Sequence, residues 1–229
     1  VEIVRRRREG EVEAIGIAER GRLQTAPYLG DEAEKGVRVA QYVAFRSGIE
    51  VRAANLQTLF AAPGRAYLPM IMKIMIKHGL HQLMAIDWLP MQLWLDAQRE
   101  IADTIGEHTL FALGKKAPEV VAWPTGIDTI EAALASIDVA YHLNHRMDGE
   151  PMCDLRTGVM KEGIGHYRCR ASGDRSIAVV CDTPYSTELE RGLITGTARR
   201  LEPAAEVTLD ETQPTRRRGG DSCTFLVRW

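Results

Sequence analysis

The last fifty residues constrain this chain most. From Ile177 to Trp229 they run as an apolar strand ending at Cys181-Asp182, a helical stretch over Ser186 to Leu201, the strand AEVTLD, a turn at Gly219-Gly220, and the strand SCTFLVRW. Short apolar runs bounded by turn residues read as strands, and Leu189, Leu193, Thr197 and Leu201 make a helical stripe. Just before them, IGHYRCRAS and SIAVVCD are two strands joined at Gly173-Asp174, a hairpin signal. The helix carries Gly192 and Gly196 one turn apart. Each costs about 1 kcal/mol of helix propensity, so the pair predicts close approach to another backbone, a strand beneath or a partner helix.

Upstream of residue 146 the periodicity is helical. Residues 32–46 place Ala33, Val37, Ala40, Val43 and Ala44 on one face behind an N-cap at Asp31, and 56–62 form a short helical stretch. Tyr67 to Leu83 carries Met70, Ile71, Ile74 and Met75, methionines that read as core filling. A further helix starts from Asp87 with Pro90 in its first turn and stops at Gly106. HTLFALGKKAPEV follows as a helix halted before Pro118, and the last helix spans Asp128 to His145. Residues 11–28 alternate around Arg20-Gly21 as a hairpin.

The sum is α+β: an antiparallel sheet covered by a helical layer. Residues 31–229 form a single domain with a helical half at 31–146 and a sheet-rich half at 163–229, and residues 1–30 are a hairpin extension. A chain of 229 residues with 45% hydrophobic side chains can bury one substantial core. Its 29 Lys and Arg against 31 Asp and Glu give no charge excess that calls for nucleic acid or an anionic membrane. Arg5 to Arg8 and Arg216 to Arg218 read as solvated basic edges. The most apolar stretch is broken by Pro69, Lys73, Lys77 and His78, so no membrane span is expected. Cys153, Cys169, Cys181 and Cys223 form no C-x-x-C pair, which fits reduced thiols in a cytoplasmic protein.

The order strand, Arg191 to Gly196 helix, strand, then the Gly219 to Phe225 turn resembles the 4-vinyl-reductase domain family, whose fold is shared with TRAPP vesicle-tethering subunits and haem-NO-binding sensors. The resemblance spans residues 36–229 and takes in the DWLPMQLWLD segment as part of the helical layer. It implies a small-molecule-binding or sensory domain without catalysis, an enclosed apolar pocket for an apolar or aromatic ligand, and a homodimer. In phenol-sensing members cysteines here bind structural zinc. This chain keeps Cys223 but has Thr187 and Thr215 where the other thiols are expected, so no metal is predicted on that pattern. Cys181-Asp182 and Gly220 to Phe225 also resemble the amino-thiazoline-carboxylate hydrolase family, which implies an enzyme.

Three constellations carry candidate chemistry. His142 and His145 lie three apart on a helix and could hold a metal or haem with a third ligand such as His166 or Glu162; the simpler role is polar packing at a helix C-terminus. No cofactor is predicted, with haem the alternative through these histidines. Cys181 with His166 and Asp182 offers a thiol, a base and an orienter, against a plain buried cysteine in a core strand. Trp88, Trp94, Phe111 and Tyr141, with Trp123, could line the ligand pocket beside His142 and His145, or simply fill the core.

Overall fold

The computed structural model describes residues 41–57, 67–80, 86–120 and 126–229. The predicted 11–28 hairpin, residues 32–40 of the 32–46 helix, residues 58–62 of the 56–62 helix, and Trp123 lie outside the described residues. Residues 41–46 do not continue a helix: they form turns, with Tyr42 at φ 66° and its N–H donating to the Pro184 carbonyl at 2.8 Å.

Five helices are described: α1 (Leu68–Lys77), α2 (Met91–Thr104), α3 (Glu107–Val120), α4 (Ile130–Leu143) and α5 (Thr187–Arg199). Eight strands make two antiparallel sheets. β1 (Ile49–Arg52), β2 (Trp88–Pro90), β3 (His145–Met147) and β4 (Glu150–Pro151) are ordered β2-β1-β3-β4. β5 (Tyr167–Gly173), β6 (Ser176–Cys181), β7 (Glu206–Leu209) and β8 (Cys223–Arg228) are ordered β5-β6-β8-β7. The α+β class and the helical layer on an antiparallel sheet are as expected; the first, smaller sheet is an addition.

Local chemistry sets the boundaries. Thr129 caps α4 by accepting from Ala132 N–H at 3.2 Å, and Ser186 caps α5 by accepting from Leu189 N–H at 3.5 Å. Pro90 ends β2, and α2 begins one residue later. Pro118 does not halt α3, which runs on to Val120. A proline in the last turn sacrifices one hydrogen bond, and the Pro118 carbonyl gains an Arg200 donor at 3.1 Å.

The second sheet is the scaffold of the site. Ile177, Val179 and Cys181 of β6 pair across from Val227, Phe225 and Cys223 of β8, and all six are buried. Alternation puts them on one face of the sheet. The paired glycines of α5 meet α3: a methyl group at Gly192 would overlap the Phe111 carbonyl, and one at Gly196 the Lys115 carbonyl. Gly114 is pressed equally hard against Leu189. Two backbones in direct contact account for glycine inside the helix, where alanine would favour the helix but separate the pair.

Arg216 is a correction to the solvated basic edge. Its guanidinium is fully buried, paired with an equally buried Glu190 and donating to the Thr183 carbonyl. Glu190 also accepts from the Thr183 hydroxyl at 2.6 Å. A buried carboxylate demands such a cation. Arg217 and Arg218 are exposed as expected, bridging to Glu107 at 2.6 Å and Glu211 at 2.8 Å.

Candidate metal centre

The candidate site lies where the end of α4 meets the start of β5. Asp138 and His142 are four apart on α4 and share a face. His166 precedes β5 and reaches the same place because the chain turns through Gly163 and Gly165, at φ 110° and 81°. A side chain at Gly165 would collide with the Asp182 carbonyl, so glycine lets this loop cross close over the end of β6.

Hydrogen bonds fix each donor. Asp138 accepts from Tyr167 N–H at 2.9 Å and meets His166 Nδ1 at 3.0 Å. The other His166 nitrogen meets Glu162 at 3.0 Å. Asp182 accepts from the His166 backbone N–H and pairs with Arg168. His142 donates from Nδ1 to the Asp138 carbonyl at 2.8 Å, which leaves Nε2 with a free lone pair. That Nε2 is buried and has no hydrogen-bond partner among the described residues, on a residue 0% exposed. The His142 and His166 rings lie 4.7 Å apart between centroids. One ligand atom each from Asp138, His142 and His166 falls within 4.8 Å of the others.

Electrostatics separates the two imidazoles. Burial lowers the pKa of His142, so it is neutral at pH 7. Burial also works against charge on His166, but the hydrogen bond and charge of Asp138 and the hydrogen bond of Glu162 outweigh it and raise its pKa. Two imidazoles and the Asp138 carboxylate thus come together, on one of them a buried nitrogen with no partner among the described residues, while Glu162 lies on the far nitrogen of His166. Such a donor set suits a borderline divalent cation.

The other expected residues are dispersed. His145 belongs to β3, opposite Val51; it donates from Nδ1 to Tyr141 O at 2.6 Å, and its Nε2 accepts from the Tyr185 hydroxyl at 2.8 Å. It is a fully satisfied core histidine and not part of the cluster. Tyr141 donates to Ile164 O at 2.6 Å and packs edge-on against Tyr167 and Tyr185. Trp94 is buried on α2; Trp88 is half-buried on β2 beneath the guanidinium groups of Arg52 and Arg146; Phe111 on α3 lies under Arg191. Cys181 is fully buried and burial pushes its thiol pKa well up. Both His166 nitrogens are engaged by carboxylates, and Asp182 faces a backbone amide and Arg168, so the geometry gives Cys181 no activating imidazole. Cys223 lies 3.5 Å from the Thr187 hydroxyl, and the metal-capable cluster contains no cysteine.

Asp138 is the member of the cluster that sequence reading passed over. The signal was there: an Asp-x-x-x-His pair within one helix, ending on a histidine already singled out.

Fold comparison defines the class. This chain's α+β fold is similar to that of haem-NO-binding (H-NOX) proteins. An Fe(II) unliganded H-NOX protein from K. algicida superposes with a TM-score of 0.54 at 13% identity, over 77% of this chain and 95% of that one. An H-NOX protein from S. oneidensis in the Fe(II)NO ligation state gives 0.52 at 12% identity, over 77% and 98%. At these identities the likeness is one of fold. No family model and no curated protein matches the sequence. Among the described residues no helix is long and apolar enough to cross a membrane.

Proposed function

We propose that this chain is a sensor-type ligand-binding domain that holds one divalent transition-metal ion through Asp138, His142 and His166. The observation that carries this reading is the buried, partnerless Nε2 of His142. An unsatisfied buried polar atom costs about 1–3 kcal/mol, so its retention asks for a ligand. Its Nδ1–H is already committed to a backbone carbonyl, the arrangement that orients a metal-binding imidazole. Mixed nitrogen and oxygen donors favour zinc or ferrous iron over calcium and magnesium, which prefer oxygen alone.

The fold neighbours hold Fe(II), and as H-NOX domains they suggest haem. The residues here do not fit that group. A porphyrin iron takes one axial donor per face and needs a broad apolar slot around it. Here the His166 ring lies beside His142 and Asp138 completes a compact three-donor cluster. A bare ion fits this arrangement.

The test is titration of metal-stripped protein with zinc, followed by calorimetry, together with an absorption spectrum of protein as purified. One ion per chain, lost in His142→Ala, is expected. Absence of stoichiometric binding would sink the proposal. So would an intense haem band in the purified protein, which would favour His142 as a single axial ligand.

A further inference from the structure

The two carboxylates at His166 meet opposite edges of one ring. Asp138 lies 3.0 Å from Nδ1 and Glu162 3.0 Å from Nε2. Only Asp138 belongs to the cluster with His142. The His166 ring is held in place: its backbone N–H donates to Asp182, and its side chain is 9% exposed. Glu162 stands outside, with a side chain 84% exposed, but the backbone that carries it is fixed. Ile164, two residues on, is fully buried, and its carbonyl accepts from the Tyr141 hydroxyl at 2.6 Å. Gly163 and Gly165, at φ 110° and 81°, supply the left-handed turns on either side of it. The loop thus delivers the Glu162 carboxylate to the far nitrogen of His166 from a pinned backbone.

We infer, on the reading that the cluster binds a metal, that the ion takes His166 through Nδ1 and that Glu162 is the positioning residue that sets this choice. A cation at Nδ1, beside Asp138, excludes a proton there. The ring's N–H then sits on Nε2 and donates to Glu162. A hydrogen bond at one imidazole nitrogen decides which nitrogen is left to bind metal. A carboxylate behind a metal-bound histidine fixes the ring and raises its basicity. His142 has the same layout with the ring reversed: its Nδ1–H donates to the Asp138 carbonyl at 2.8 Å, which leaves Nε2. The two histidines therefore bind through different nitrogens, each oriented by an acceptor behind it. Glu162 gives the ion no donor atom of its own.

Long-range proton–nitrogen NMR of isotope-labelled, zinc-loaded full-length protein reads the choice directly. Zinc on Nδ1 of His166 and a proton on its Nε2 are expected, with that proton exchanging slowly enough to be seen. In Glu162→Ala the Nε2 proton should exchange faster, and zinc affinity in competition with a chelating dye should fall about tenfold, roughly 1.4 kcal/mol. Tenfold is the low end of what such outer partners contribute, as suits an exposed one. Glu162→Gln keeps an acceptor oxygen and should bring the affinity back to within about threefold of the native value. Glu150→Ala removes an exposed carboxylate that pairs with Lys161 at 3.9 Å; it is the charge control and should leave zinc affinity unchanged. Zinc bound to His166 through Nε2 overturns the inference and leaves the metal site standing. So does an unchanged affinity in Glu162→Ala, or an equal loss in Glu162→Ala and Glu162→Gln. Absence of zinc binding in the native protein overturns the inference and the metal reading together.

Discussion

His142 and His145 are three residues apart, both buried, and both donate from Nδ1 to the carbonyl four residues before them. They differ in what lies at the other nitrogen. His145 Nε2 accepts from Tyr185; His142 Nε2 has no partner among the described residues. A histidine with both nitrogens satisfied is part of the core's hydrogen-bond network. One with a buried free lone pair beside a histidine and a carboxylate is paying for something other than stability. On the proposed reading, the difference separates a structural from a ligand-binding histidine without appeal to residue type.

The largest expected effect concerns the structural member. Burial holds His145 near a pKa of about 4, against 6.5 for an unperturbed imidazole. A base with a depressed folded-state pKa contributes stability that is fully present above pH 6.5 and is lost as pH falls toward 4. At about 1.4 kcal/mol per tenfold, the loss over that window is about 3 kcal/mol. Denaturant unfolding of the metal-free protein between pH 7 and 4 measures it, with His145→Phe as reference. If the two proteins show the same pH slope, His145 is not the buried neutral group described here.

Next comes the functional member. His142→Ala should weaken zinc binding by at least about 100-fold, roughly 2.7 kcal/mol, read by competition against a chelating dye. His145→Phe should leave zinc affinity within about threefold, on the order of 0.6 kcal/mol. Equal losses in both variants would erase the contrast and return the pair to the joint role that their spacing first suggested. The same numbers bear on stability. Zinc at 100 times its dissociation constant should raise the unfolding free energy by about 2.7 kcal/mol in the native protein and not in His142→Ala.

How much of this was legible in the sequence depends on where the information sits. The strand-helix-strand order after residue 176 was readable because each element there is long enough to show its period, and Gly192 with Gly196 announced a close helix contact before the partner, α3, was known. β1, β2 and β3 were not, since strands of three or four residues show too little alternation to stand out from helical surroundings. Arg216 looked solvated because its partner Glu190 is 26 residues away, and a local charge run says nothing of a distant buried carboxylate. The site was half visible. His142, His166 and Glu162 were named, but spacing paired His142 with His145, whereas tertiary structure turns His145 toward Tyr185 and Asp138 toward His166. Which nitrogen has a partner is a fact of packing that no spacing rule contains.

The smallest effect is the sharpest separator. Replacing each histidine with phenylalanine of similar shape should change metal-free stability differently. His145→Phe strands the buried Tyr185 hydroxyl and the Tyr141 carbonyl, and should cost about 1–3 kcal/mol. His142→Phe removes an already unsatisfied nitrogen while giving up one bond to the Asp138 carbonyl; the relieved penalty and the lost bond are each about 1 kcal/mol, so the change should lie between neutral and mildly stabilising. Chemical denaturation of both variants at pH 7 in the presence of a chelator gives the comparison. A residue whose removal leaves the fold as stable or more so, yet abolishes metal binding, is held in place by its ligand. Should His142→Phe instead destabilise as much as His145→Phe, the unpartnered nitrogen is filled by something the fold itself supplies, such as a buried water, and the metal loses its strongest physical argument.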